Sequence, residues 1–182
     1  MSRLHTVEKA GATGEVKTLY EQIEKKMGAV PNIFTGMANS PVLLKAYLKL
    51  DELIEGGTLS PTEQDMARLV VSQYNGCSYC LAAHTRTGVS KGLSEEEIKA
   101  VRRGRPTDDQ HQALVTFVRR ILESRGELET ADLQAFRDAG YTDGQVCEVI
   151  VIIGQKMMSN YFNHIHSTEL DFPEVEKIEN HQ

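Results

Sequence analysis

Apolar residues recur at helical spacing along most of this chain, and Gly, Pro and Ser-Pro signals interrupt the pattern at short intervals. Strand-type alternation is nearly absent, so the pattern predicts an all-α fold. Ser40-Pro41 and Ser60-Pro61 each place a cap residue before Pro at the first helical position, which is a usual helix start. The chain has 182 residues, 40% of them hydrophobic. We therefore expect one domain over residues 1–182, built as a helical bundle.

The start and stop signals divide the chain into eight predicted helices. Ser60 and Glu63 predict a capping box at the start of the third helix. The β-branched run Val149–Ile153 would also suit a buried strand, but we interpret it as part of a core helix. Residues from about 170 to 182 carry Pro173 and several charges, so they predict an extended C-terminal arm. The predicted helices cover 13–26, 41–55, 61–74, 77–87, a segment from 94, 107–124, 130–139 and 142–166.

Charge and hydropathy exclude several classes of protein. A net charge of −6 opposes an extended nucleic-acid surface, because such binding needs clustered Lys and Arg. The apolar run 149–153 is the longest in the chain, far short of the ~20 residues that span a bilayer. The N-terminus shows no secretory signal, so we expect a cytoplasmic protein without a membrane segment. Three cysteines, an odd number, indicate reactivity or metal binding instead of a disulfide framework.

Two of the cysteines lie in the segment Cys77-Ser78-Tyr79-Cys80-Leu81-Ala82-Ala83-His84, directly after an Asn75-Gly76 turn signal. Residues three and four apart share a helix face, so Cys77, Cys80 and His84 would form one stripe. The free N–H groups and the dipole of a helix start stabilise a thiolate and lower the pKa of a cysteine. This spacing therefore predicts a reactive thiol pair with a histidine that can relay a proton.

A chain reversal at Asn75-Gly76 would bring a carboxylate to this stripe. Counting outward from the turn places His84 level with Ala67, and Asp65 close by. We expect Asp65 to approach the imidazole, orient it and favour its charged form.

At these residues the sequence resembles the carboxymuconolactone decarboxylase and alkyl hydroperoxidase D superfamily, in particular its peroxidase-related branch. The resemblance rests on residues 69–80 and His84, and more loosely on residues 160–163 and 170–173. It implies an all-helical fold that assembles as a trimer or hexamer. It also implies that Cys80 is the peroxidatic thiol, Cys77 the resolving thiol and His84 part of a proton relay. The family's relay glutamate, twelve positions before the first cysteine, corresponds to Asp65, which is one methylene shorter.

The function that follows is thiol-dependent reduction of hydroperoxides in antioxidant defence, as in a peroxiredoxin-type alkyl hydroperoxide reductase. Cys80 would form a sulfenic acid, which Cys77 converts to a disulfide. The resemblance implies a lipoylated or thioredoxin-like dithiol protein as reductant, with no cofactor and no metal. Apolar helix faces beyond what one small core can bury favour a homo-oligomer. We expect the catalytic core to cover residues of about 40–125.

Three alternatives remain open at this stage. Zinc could bind to Cys77, Cys80 and His84, with His164 or His166 as the fourth ligand, although no second CxxC is present. The same superfamily contains decarboxylase-like enzymes that act without a cysteine pair. The chain could also be a helical scaffold with incidental cysteines.

The third cysteine, Cys147, lies among Val146, Val149 and Ile150. We expect it to be a buried small apolar residue.

Overall fold

The structure is a computed structural model that describes residues 2–179. All regular secondary structure in this range is helical, which confirms the predicted all-α class. A short 3₁₀ turn, Lys9–Gly11, precedes the α-helices. The helices are α1 (Gly14–Met27), α2 (Asn32–Met37), α3 (Pro41–Glu55), α4 (Pro61–Tyr74), α5 (Ser78–Ser90), α6 (Glu95–Arg102), α7 (Asp109–Ser124), α8 (Thr130–Asp138) and α9 (Asp143–His166). Within residues 2–179 no helix has both the length and the hydropathy to cross a bilayer.

The start and stop signals located most of these helices correctly. Pro41 and Pro61 are the first residues of α3 and α4, and the predicted capping box is present: Ser60 Oγ accepts from the Glu63 amide at 3.2 Å. The run Val149–Ile153 lies inside α9 and is helical. The sequence pattern missed α2, because its six residues are too few to show a helical period.

Two groups of apolar side chains form the interior. The larger group, which we call the apolar core, joins α4, α6, α7, α8 and α9, and includes Phe117 stacked on Phe136 with ring centroids 4.1 Å apart. The smaller group joins α1, α2, α3 and the start of α5, and it encloses Cys77 and Cys80.

A tight reversal between α4 and α5 carries the cysteines into this second group. Gly76 has φ +66°, a left-handed conformation that costs glycine little. The Cys77 amide donates to the Ser72 carbonyl at 2.9 Å, which closes the turn. As a result α4 and α5 pack against each other as an antiparallel pair, as the Asn-Gly signal predicts.

The segment after α9 has no regular secondary structure up to Glu179, and the last three residues of the predicted arm, 180–182, lie outside the described residues. The segment runs back over the helices that carry the cysteines. Asp171 accepts hydrogen bonds from the Asn32 amide, at 2.9 Å, and from the Tyr79 hydroxyl. Phe172 packs against Tyr79 at a centroid distance of 6.1 Å. The arm therefore covers the outer side of the N-terminal end of α5.

Cys147 is exposed, so the expectation that it is a buried apolar residue is wrong. The buried residues of this part of α9 are Val149 and Ile152. Cys147 is two residues from Val149, and in an α-helix this separation places the two side chains on opposite sides. Proximity in sequence to apolar residues did not indicate a shared face.

Candidate functional site

Cys77 and Cys80 lie together at the start of α5. Cys77 is the N-cap residue, and its Sγ accepts from the Cys80 amide at 3.4 Å. Both side chains are buried, with exposed fractions of 1% and 2%. The Asn163 side-chain amide of α9 lies 3.2 Å from Cys80 Sγ and 3.8 Å from Cys77 Sγ. One amide nitrogen thus contacts both sulfurs, with the shorter distance to Cys80.

Asp65 and His84 also meet, across the α4–α5 pair. Asp65 Oδ1 lies 3.4 Å from His84 Nδ1, a distance that is long for a hydrogen bond but within ion-pair range. Lys91 Nζ lies 2.8 Å from Asp65 Oδ2, and Arg68 Nη1 lies 3.4 Å from Oδ1. Burial alone would raise the pKa of Asp65, but His84 and Lys91 hold it well below its ordinary value. Asp65 is therefore a buried carboxylate that stays ionised.

The residue that sequence reasoning missed is Lys156 of α9. Its side chain is buried, with 1% of the residue exposed, and its Nζ lies 2.7 Å from His84 Nε2. An ammonium group has only donors, so His84 Nε2 accepts and the ring proton belongs on Nδ1, which faces Asp65. Lys156 therefore sets the tautomer of the histidine.

This arrangement makes His84 neutral, in contrast to the expectation that Asp65 would favour its charged form. Burial and the neighbouring charge of Lys156 lower the pKa of His84 to about 4, and Asp65 only partly offsets them. The expectation was wrong because it counted the carboxylate on α4 and not the cation that α9 brings to the other side of the ring.

The pKa values of the two thiols are shifted in opposite directions. Burial opposes ionisation of Cys80, but the hydrogen bond from Cys77, the charge of Lys156 and the amide of Asn163 lower its pKa well below the ordinary value. The same hydrogen bond from Cys77 to Cys80, together with burial, raises the pKa of Cys77. Cys80 is thus the sulfur that ionises, while Cys77 keeps its proton.

Lys156 and Asn163 belong to a polar face of α9. Ser159, Asn160 and Asn163 follow Lys156 at intervals of three, four and seven residues, and all four are buried. Polar side chains at helical spacing within an otherwise apolar helix are the sequence signal that could have identified this face. The site therefore extends beyond the expected core of about 40–125.

The ligand set of the zinc alternative is not assembled. The described residues contain no group of three or more His, Cys, Asp and Glu side chains placed to hold a metal ion. His164 is exposed. His166 lies against Gly36, whose added Cβ would meet His166 Nε2 at 2.5 Å, and against Phe162. His84 directs Nε2 to Lys156.

Comparison with protein families gives one match. Residues 41–123 match the carboxymuconolactone decarboxylase family, and this range includes Asp65, Cys77, Cys80 and His84. No curated protein matches the sequence significantly.

Solved structures share the fold over nearly the whole chain. One is an alkylhydroperoxidase AhpD core, an uncharacterized peroxidase-related protein from Ralstonia eutropha JMP134, with a TM-score of 0.85 and 22% identity over 93% of this chain and 92% of that one. An uncharacterized peroxidase-related protein from Silicibacter sp. TM1040 gives a TM-score of 0.78 and 23% identity, covering 93% and 94%. The debrominase Bmp8, solved as its C82A variant with 2,3,4-tribromopyrrole, gives 0.77 and 17%, covering 94% and 92%.

The family match spans the helices that carry the thiol pair, and the structural likeness extends the same fold to the helices on either side. Residues 41–123 are thus similar to the carboxymuconolactone decarboxylase family, and the chain shares its fold with solved alkylhydroperoxidase-like, peroxidase-related proteins.

Proposed function

We propose that the protein is a thiol-dependent peroxidase that reduces hydroperoxides through a cycle of Cys77 and Cys80. The observation that carries the proposal is the asymmetry of the pair: both sulfurs contact the Asn163 amide, yet Cys80 ionises and Cys77 does not. A thiolate beside a protonated thiol is what attack on peroxide followed by disulfide formation requires. The likeness to peroxidase-related proteins is in keeping with this chemistry.

In the first step the Cys80 thiolate attacks the outer oxygen of a hydroperoxide. The O–O bond breaks, an S–O bond forms, and the leaving alkoxide takes a proton to give an alcohol, or water when the substrate is hydrogen peroxide. The sulfur is oxidised to sulfenic acid and the peroxide is reduced. His84, neutral and held by Asp65, serves as the proton relay in this proposal.

In the second step the Cys77 sulfur attacks the Cys80 sulfenic acid, a disulfide forms and water leaves. A dithiol protein, lipoylated or thioredoxin-like, then reduces the disulfide through a mixed disulfide and is itself oxidised. Both sulfurs are buried, so the reductant must displace covering side chains such as Tyr79 and Phe172. We place this cycle in the cytoplasm, where reducing systems keep such thiols reduced.

The test is consumption of an alkyl hydroperoxide with dihydrolipoamide as reductant. Cys80→Ser should abolish turnover, whereas Cys77→Ser should complete one reaction and accumulate a Cys80 sulfenic acid that dimedone traps. Cys147→Ser is the matched control and should turn over as the wild type does, because Cys147 is exposed on α9. An unchanged rate in Cys80→Ser would contradict the proposal and favour the decarboxylase-like or scaffold alternatives.

We also propose that the protein is a homo-oligomer, a trimer or hexamer. Supporting this, apolar side chains are exposed along α9 at Val151, Tyr161 and Ile165, ten and four residues apart on one side of the helix. Sedimentation at micromolar concentration should show a species larger than the monomer, and a monomer would contradict this part of the proposal.

A further inference from the structure

Lys156 is a buried cation that has no carboxylate within ion-pair distance among residues 2–179. Burying an ammonium group is costly unless an opposite charge compensates it. The contacts of its Nζ among residues 2–179 are His84 Nε2, at 2.7 Å, and the face of the Tyr47 ring, at 5.8 Å from the centroid. Neither group is an anion, because His84 is neutral and burial raises the pKa of the Tyr47 hydroxyl.

The two carboxylates of the surrounding cluster are already paired with other cations. Asp65 has Lys91 at 2.8 Å and Arg68 at 3.4 Å. Asp51 has Arg68 at 3.0 Å. Lys26, which lies 3.5 Å from Asp51, has a nearer partner in Glu55 at 2.7 Å. Arg68 and Lys91 thus balance the two carboxylates before Lys156 is counted. The buried cluster has an excess of positive charge that an acid other than Asp or Glu must balance.

The thiols are the remaining acids of the cluster, and Cys80 is the one that contacts the same stretch of α9. Cys80 Sγ lies 3.9 Å from Ser159 Oγ, and that hydroxyl donates to the Lys156 carbonyl at 3.2 Å. Cys77 stays protonated, because its hydrogen bond to Cys80 and its burial raise its pKa. The ionisable groups that face the Lys156–Cys80 pair from α3, α4 and α5 are Tyr47, Asp51, Asp65, Arg68, Cys77, Tyr79 and His84.

We propose that Lys156 is the counterion of the Cys80 thiolate and keeps the reactive sulfur ionised at neutral pH. This inference deepens the proposed function, because it concerns the same thiol pair, but it requires only that Cys80 ionise and not that a hydroperoxide be the substrate. In many thiol enzymes a charged imidazole is the counterion of the thiolate. Here Lys156 takes that role, and His84 stays neutral.

The experiment measures the ionisation midpoint of Cys80 from the pH dependence of iodoacetamide alkylation, located on Cys80 by mass spectrometry. Loss of a neighbouring opposite charge changes a pKa by ~1–3 units. Lys156→Met should therefore raise the midpoint by at least about one pH unit, with roughly tenfold less thiolate at a pH below both midpoints. Lys156→Arg retains the charge and should keep a low midpoint. The matched control, Lys49→Met, removes a lysine of α3 that pairs with Glu52 on the surface, and should leave the Cys80 midpoint unchanged.

A reciprocal measurement does not depend on whether Lys156→Met folds. In Cys80→Ser the counterion is absent, so the Lys156 amine, observed by NMR on nitrogen-labelled lysine, should titrate at lower pH than in the wild type, by a similar shift. An unchanged Cys80 midpoint in folded Lys156→Met, or an unchanged Lys156 midpoint in Cys80→Ser, overturns the inference. If both midpoints shift but the wild type consumes no hydroperoxide, the counterion stands and the proposed peroxidase function fails.

Discussion

Helix α4 separates two regions of opposite character. Toward α7 it contributes Met66, Leu69 and Val70 to the apolar core. Toward α3 and α5 it contributes Asp65 and Arg68, which belong to what we call the polar cluster, together with Asp51, His84, Lys91 and Lys156. All residues of α4 from Glu63 to Gln73 are buried, so both regions are interior.

The difference between the two regions lies in what burial does there. In the apolar core burial removes apolar surface from water and stabilises the fold at ~25 cal/mol per Å². In the polar cluster burial removes charges from water, which costs free energy that the ion pairs only partly offset. This chain keeps at least four charged side chains in its interior, beside the thiol pair. Natural proteins accept such a loss of stability mainly at functional sites.

The largest expected effect on stability is in the apolar core. Phe117→Ala removes a ring that is 2% exposed and stacked on Phe136. It should lower the free energy of unfolding by about 3–5 kcal/mol, through lost burial and the cavity left behind. Urea denaturation measures the loss, and the Cys80 midpoint should stay as in the wild type. A shifted midpoint would show that the two regions are coupled.

A pH titration of stability tests the polar cluster. The pKa of His84 falls from the ordinary 6.5 to about 4 in the folded state. Between these values the unfolded chain binds the proton and the folded protein does not, so stability rises with pH and is lost on acidification, by about 3 kcal/mol. The lowered pKa of Cys80 acts with the same sign, so the His84 share is the difference between the wild type and His84→Gln. Equal slopes for the two proteins between pH 4 and 6.5 would contradict the neutral histidine.

A smaller effect is expected from the amide that contacts both sulfurs. Asn163→Leu keeps the approximate volume and removes a hydrogen bond to a charged acceptor, worth ~1.5–3 kcal/mol. The Cys80 midpoint should rise by about one pH unit, and alkylation at a pH below both midpoints should slow roughly tenfold. Thr168→Val, which removes only the donor to Asn163 Oδ1, is the matched variant and should have a lesser effect. If Thr168→Val shifts the Cys80 midpoint as much as Asn163→Leu does, the effect comes from the orientation of the Asn163 side chain and not from its hydrogen bond to the thiolate.

Local signals in the sequence located most of the helices. Ser60-Pro61 with Glu63, and the Asn-Gly turn before Cys77, act through neighbouring backbone groups, so they indicate helix ends without knowledge of the fold. They also place Asp65 opposite His84, because a short turn allows little other than an antiparallel pair. Where a side chain points relative to a distant helix is not local, which is why Cys147 was assigned to the wrong side of α9.

By itself, therefore, the sequence determined an all-helical chain with two cysteines and a histidine on the first turns of one helix. Only the tertiary structure decided which sulfur ionises and which charge the histidine carries. Those properties depend on Lys156 and Asn163, which reach the site from α9, 72 residues from His84 and 83 from Cys80 along the chain. Capping and helical periodicity operate over three to seven residues. Electrostatic interactions act through space, so the packing of α9 against α5 lowers the pKa of Cys80 further than the local hydrogen bond from Cys77 does alone.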